Sequence, residues 1–222
     1  MKKLLSIVLA VAITVILSPV ALAATYENYT YEVSSDNTIT NTGFNNLHLT
    51  SINIPETIDG KTVTAIGNDV FRNKPSIKEV KIPNSVEVIG DYAFYGCFSI
   101  ANATIANEGN IGDCAFEGAM TTANAELKVT NKGSIGTKAF YGCSAITNAT
   151  ISNEGYVGDS AFEGAMTATN AELLVTNKGH IGTKAFYGCT AIANATISNE
   201  GYVGDCAFEG AMTVANADLK VT

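Results

Sequence analysis

Few side chains in this chain could do chemistry: five cysteines, two histidines and a recurring Gly-Asp pair. His48 and His180 each stand outside any pattern with Ser, Cys and Asp that would form a triad. Cys97, Cys143 and Cys189 share one position of a repeat in alternate units, and Ala119, Ala165 and Ala211 hold it in between. If neighbouring units stack at the strand spacing of about 4.8 Å, alternate units lie about 10 Å apart. A disulfide needs α-carbons within about 7 Å. Cys114 and Cys206 share a second position four units apart. Five free thiols are therefore expected, with Cys97, Cys143 and Cys189 buried as small hydrophobes. A nucleophilic cysteine needs an activating neighbour, and none is evident. No Cys/His spacing suits zinc. Asp113, Asp159 and Asp205 are too sparse for a nonapeptide calcium repeat, and the glycines recur at the repeat period without forming a phosphate-binding loop. No catalytic, cofactor-binding or metal residue is expected, so the chain reads as a non-enzyme.

The elements that position these residues form a repeat. One frame occurs seven times: IGNDVFRN (66–73), IGDYAFYG (89–96), IGDCAFEG (111–118), IGTKAFYG (135–142), VGDSAFEG (157–164), IGTKAFYG (181–188) and VGDCAFEG (203–210). Its first glycines recur every 22 to 24 residues, a period that signals a solenoid in which each unit buries its apolar face on its neighbours. Each coil reads as a short parallel strand, a loop and a short helical turn. Asn68, Asp91, Asp113, Thr137, Asp159, Thr183 and Asp205 suit helix N-caps, and the Gly or Asn five residues later suits a left-handed helix end. The phenylalanine between them points inward and builds a continuous spine.

The strand cores run from Val80-Lys81-Ile82 to Ala217–Val221, every second one being read as two residues longer, an insertion that preserves side-chain parity. Asn84, Asn107, Asn131, Asn153, Asn177 and Asn199 follow the strands as a ladder that satisfies backbone groups where each coil leaves the sheet. The next residues alternate Glu108, Lys132, Glu154, Lys178 and Glu200, which replaces repulsion between neighbours with modest attraction.

The first residues read differently. Lys2 and Lys3, an apolar run from Leu4 to Leu17, and Ala21-Leu22-Ala23 form the three regions of a secretory signal peptide over residues 1–23. Its loss takes the net charge from −8 to −10. An acidic chain argues against nucleic acid and anionic membrane surfaces, and no later stretch is expected to enter a membrane. Residues 24–50, with Ser34-Ser35-Asp36-Asn37 as a turn, read as a capping hairpin. Residues 51–222 read as the solenoid, built from residue 101 onward of 46-residue double repeats. Residues 101–146 and 147–192 match at 36 of 46 positions. No capping segment follows the last strand, so its apolar edge is expected to be open, as in a chain that continues or a fragment.

The run Ile82-Pro83-Asn84-Ser85-Val86-Glu87-Val88-Ile89-Gly90-Asp91-Tyr92-Ala93-Phe94-Tyr95-Gly96-Cys97 resembles the BspA-like family of leucine-rich repeats. The resemblance covers residues 45–222, although from residue 101 Ile-Pro-x-x-Val gives way to Ile-x-Asn-Glu/Lys-Gly. It implies a leucine-rich-repeat solenoid and a secreted or cell-surface location, with adhesion to extracellular or cell-surface proteins as the function. It supplies no catalytic residue.

Extended repeat surfaces bind through their outward residues. The candidate interaction surface is Thr104, Glu126, Lys128, Thr150, Glu172, Leu174 and Thr196 on the strands, with Asp218 and Lys220 beyond them and Tyr156, His180 and Tyr202 on the rim. Exposed aromatics suit interface anchors. The alternative is a spacer or targeting module of a larger exported protein, possibly an enzyme.

Overall fold

A computed structural model describes residues 24–46, 48–122, 124–214 and 218–221. The expected signal peptide lies outside the described residues. The chain winds through β1 (Ala24–Tyr26), β2 (Tyr29–Val33), β3 (Ile39–Phe44), β4 (Ser51–Asn53), β5 (Thr57–Ile58), β6 (Lys61–Ile66), β7 (Glu79–Ile82) and β8 (Val88–Ile89). It continues through β9 (Asn102–Asn107), β10 (Asn110–Ile111), β11 (Ala125–Asn131), β12 (Ile146–Asn153), β13 (Ala171–Asn177), β14 (Ile192–Asn199) and β15 (Asp218–Val221). One sheet of eight parallel strands runs β4-β7-β9-β11-β12-β13-β14-β15. A second sheet runs β1-β2-β3-β6-β8-β10 and continues as single bridges from Ile111 through Ile135, Val157 and Ile181 to Val203. The result is a β-solenoid, as the repeat period predicts.

Apolar-in, polar-out alternation explains the large sheet. In β11 and β13, Ala, Leu, Val and Asn are buried while Glu, Lys or Leu, and Thr face out. The inward side chains meet the phenylalanine spine. Phe71, Phe94, Phe116, Phe140, Phe162, Phe186 and Phe208 stack with centroids 4.7–5.1 Å apart and planes within 11°. Phe44 of β3 sits at the N-terminal end of this stack, 5.1 Å from Phe71. At the other end Val203 is 48% exposed, where Val157 and Ile181 are fully buried.

Three expectations need correction. The turn that carries the spine is not helical among the described residues. Its N–H groups alternate: Ala93, Tyr95 and Cys97 donate three residues back to Gly90, Tyr92 and Phe94, while Tyr92, Phe94 and Gly96 donate to Asp113, Ala115 and Glu117 of the next coil. The residues after the supposed caps, among them Tyr92, Lys138 and Ser160, lie at φ of 55–56°, left-handed conformations that an α-helix does not contain. The Asp side chains reach across coils instead of capping their own turn: Asp91 Oδ1 accepts from the Asp113 N–H at 2.8 Å, and Asp113 Oδ1 from Thr137 N–H at 2.7 Å. The left-handed glycine is present, as at Gly142 with φ +66°.

Second, alternate strands are not longer: β11 and β13 have seven residues against eight in β12 and β14. The two extra residues fall in the loops before β11 and β13, where left-handed Met120 and Asn124, and Met166 and Asn170, absorb them. Side-chain parity within the sheet is preserved. Third, Asn84 is exposed and outside the asparagine ladder. That ladder runs from Asn131 to Asn199. Asn131, Asn153 and Asn177 each donate from Nδ2 to the glycine carbonyl two residues on and to Oδ1 of the next asparagine, at 2.6–2.8 Å. Buried Asn107 does not join, for both ends of its amide lack a protein partner.

Candidate functional site

The strand register gathers the candidate strand residues into two outward rows. One row runs Ser51, Glu79, Asn102, Glu126, Asn148, Glu172 and Asn194, and the backbone register continues it to Asp218 of β15. The other runs Asn53, Lys81, Thr104, Lys128, Thr150, Leu174, Thr196 and Lys220. Thr104, Glu126, Lys128, Thr150, Glu172, Leu174 and Thr196 are all exposed. An opening of about 490 Å³ lies over β12 to β15 around Leu174, and a smaller one of about 260 Å³ lies around Lys128.

Tyr156, His180 and Tyr202 are exposed too, but they form a separate cluster on the bridge ladder of the second sheet. Tyr202 packs on His180 with centroids 4.1 Å apart, and its N–H donates to His180 Nδ1 at 3.0 Å. Tyr156 Oη donates to Asp159 Oδ1 at 2.6 Å. Burial and this bond to a carboxylate push the Tyr156 phenol up to about 12. A polar groove of about 390 Å³ runs beside Tyr156, Asp159, Thr183, Tyr202 and Asp205. The groove beside the cluster has no lining residue in common with the two openings over the strands.

The side bearing the turns differs. Arg72 lies over the rings of Tyr92 and Tyr95 at 5.1 and 4.8 Å, Lys138 over Tyr141 at 5.5 Å, and Lys184 over Tyr187 at 5.3 Å. Those rings already hold a cation, from the preceding coil at Tyr92 and Tyr95 and from their own coil at Tyr141 and Tyr187. Among the described residues no Lys or Arg covers Tyr156 or Tyr202.

The chemistry-bearing residues are scattered. All five cysteines are free. Cys97, Cys143 and Cys189 are fully buried, and their Sγ atoms donate to the carbonyls of Phe71, Phe116 and Phe162 at 3.0–3.1 Å. Burial pushes the Cys97 thiol to about 11, Cys189 to about 12 and Cys143 higher still, the opposite of an activated nucleophile. Among the described residues no group of three His, Cys, Asp or Glu side chains could hold a metal, and no helix is long and apolar enough to cross a membrane.

One structural constraint escapes sequence reasoning. A β-carbon on Gly155 would lie 2.4 Å from the Gly133 carbonyl oxygen, and one on Gly179 2.2 Å from that of Gly155. The Asn-Glu/Lys-Gly segment therefore needs glycine because successive backbones nearly touch.

Parallel coils, an inward aromatic spine and an asparagine ladder define a leucine-rich-repeat type of solenoid. The chain belongs to the BspA-type leucine-rich repeat family, whose pattern matches residues 37–167 and 109–221. A leucine-rich cell surface protein from Faecalibacterium prausnitzii has a similar fold, with 23% identity and a TM-score of 0.66 over 90% of this chain. The chain spans 54% of that protein's length. A leucine-rich repeat protein from T. pallidum aligns at 19% identity and a TM-score of 0.69, covering 88% of this chain and 92% of its own. Among curated proteins no match was found.

Proposed function

We propose that the chain is an exported, non-enzymatic module that holds partner proteins at the cell surface, in recognition or adhesion, through its outer strand face and the adjoining aromatic cluster. One observation carries this reading. Residues 147–192 depart from 101–146 at ten positions, and in the second copy only Val157 among them is buried. The core repeats while the surface varies, and three of the changes, Leu174, Tyr156 and His180, put large side chains where they can meet a partner. The name of the F. prausnitzii relative, a cell surface protein, supports the location.

Capture of extracellular-matrix and cell-surface proteins on immobilised chain tests the reading. Retention is expected, and Tyr156→Ala with Tyr202→Ala should reduce it. Absence of retained protein, or retention indifferent to both changes, removes the proposed surface.

A further inference from the structure

We infer that β13 carries a seat for an arginine or lysine side chain of the partner, with Glu172 as counter-ion and Leu174 as the floor beneath the stem. The seat rests on the interaction reading above and makes it specific. In β7 and β11 each outward carboxylate is followed two residues on, and on the same face, by a lysine: Glu79 by Lys81, Glu126 by Lys128. Glu172 occupies the same row in β13, but Leu174, 45% exposed, stands in place of the lysine. Among the described residues no ion pair reaches Glu79, Glu126 or Glu172, but Glu172 alone of the three has no lysine beside it on its own strand. Lys128 and Lys220 each lie two strands away, about 10 Å at strand spacing, roughly the distance at which salt of about 0.1 M screens exposed charges.

The neighbouring grooves act as an internal comparison. Over β11, with Lys128 at its centre, the opening is about 260 Å³; the one over β12 to β15 is about 490 Å³, with Leu174 at its centre and Lys220 at its β15 edge. Short Thr150 and Thr196 flank Leu174 on the adjacent strands and leave this space open. An arginine or lysine matches both halves of the seat, for its methylene stem covers apolar surface while its head stays with the carboxylate. Arginine fits better, because its fork can engage Glu172 and still donate to the Asn148 or Asn194 side chain. A wholly apolar side chain would leave Glu172 without a cation, and an acidic one would be repelled.

The test is an NMR titration of the full chain at about 0.1 M salt with the blocked peptide Gly-Thr-Arg-Thr-Gly and its citrulline counterpart. The arginine peptide should shift amides around 172–174 and the facing parts of β12 and β14. The citrulline peptide, and the variants Glu172→Gln and Leu174→Lys, should each bind about two- to fivefold more weakly, the worth of one exposed ion pair. Leu174→Lys should fold, since lysine already stands there in β11. Equal affinity for both peptides, equal affinity of wild type and Leu174→Lys, shifts confined to another face, or no shift at all would each overturn the seat. Unchanged retention of matrix proteins by Leu174→Lys would overturn the seat as the docking point and leave the interaction reading standing. A wild-type chain that takes the arginine peptide at β13 but retains no protein would keep the seat and sink that reading.

Discussion

Single residues in this molecule are chosen by what their coil meets above and below. Asn153 accepts from Asn131, donates to Asn177 and donates to the Gly155 carbonyl. Replacing it with Ala leaves buried partners unpaired, so Asn153→Ala should cost about 2–4 kcal/mol at roughly 1–3 kcal/mol per orphaned group. Exposed Asn84→Ala should stay within about 0.5 kcal/mol; chemical denaturation compares the two. The thiols make a second test. One fast-reacting thiol, the exposed Cys206, is expected in the folded chain, and five after unfolding without reductant. Their ionisation also sets an alkaline limit. Burial raises Cys97 and Cys189 from 9.0 to about 11 and 12, so the folded state holds these protons more tightly than the unfolded one. Their contribution is complete below pH 9 and is lost as pH rises toward 11–12. The denaturation midpoint of wild type should therefore fall more steeply over that window than that of a Cys97→Ala, Cys143→Ala, Cys189→Ala variant, in which alanine fills the position as it does at Ala119 and Ala165.

Among the elements, the strands and the spine were legible in the sequence and the turn was not. Strand parity and the period of phenylalanine carry unambiguous spatial meaning, since each depends on a single inward direction. The Asp-x-Ala-Phe-x-Gly segment is ambiguous, because an acceptor followed by a left-handed glycine suits a helix end and equally suits tight turns stacked coil on coil. What decides is the partner of each N–H, which lies a full coil away in the chain. The same distance hides the near-contact of Gly155 with Gly133. Two alanine substitutions separate the two roles of glycine. Gly142→Ala meets nothing within 4 Å and faces only its left-handed φ, a cost of about 1–2 kcal/mol. Gly155→Ala forces backbones apart and should cost at least twice as much, read as the difference in unfolding free energy. In the spine, Phe140→Ala should cost about 3–5 kcal/mol, because its ring is stacked at 5.0 and 4.9 Å on both sides.

For the whole molecule, a nearly uniform core carries stability and leaves the variation between copies to the surface. Stability is shared between adjacent coils, while large or charged side chains that differ between copies collect on the outer strand rows and the aromatic cluster. The candidate positions could be read from sequence because strand parity sends them outward. Their division into two surfaces could not, because it depends on how the second sheet's bridge ladder lies beside the strands. Turn-side aromatics, already covered by Arg72, Lys138 and Lys184, form the natural control. The most direct measurement compares retention of cell-surface proteins by wild type, by Leu174→Lys with Tyr202→Ala, and by Tyr141→Ala with Tyr187→Ala, all confirmed folded. Retention should fall in the first variant and hold in the second. Equal retention in all three, or loss only in the turn-side variant, would contradict a binding role for the outer face.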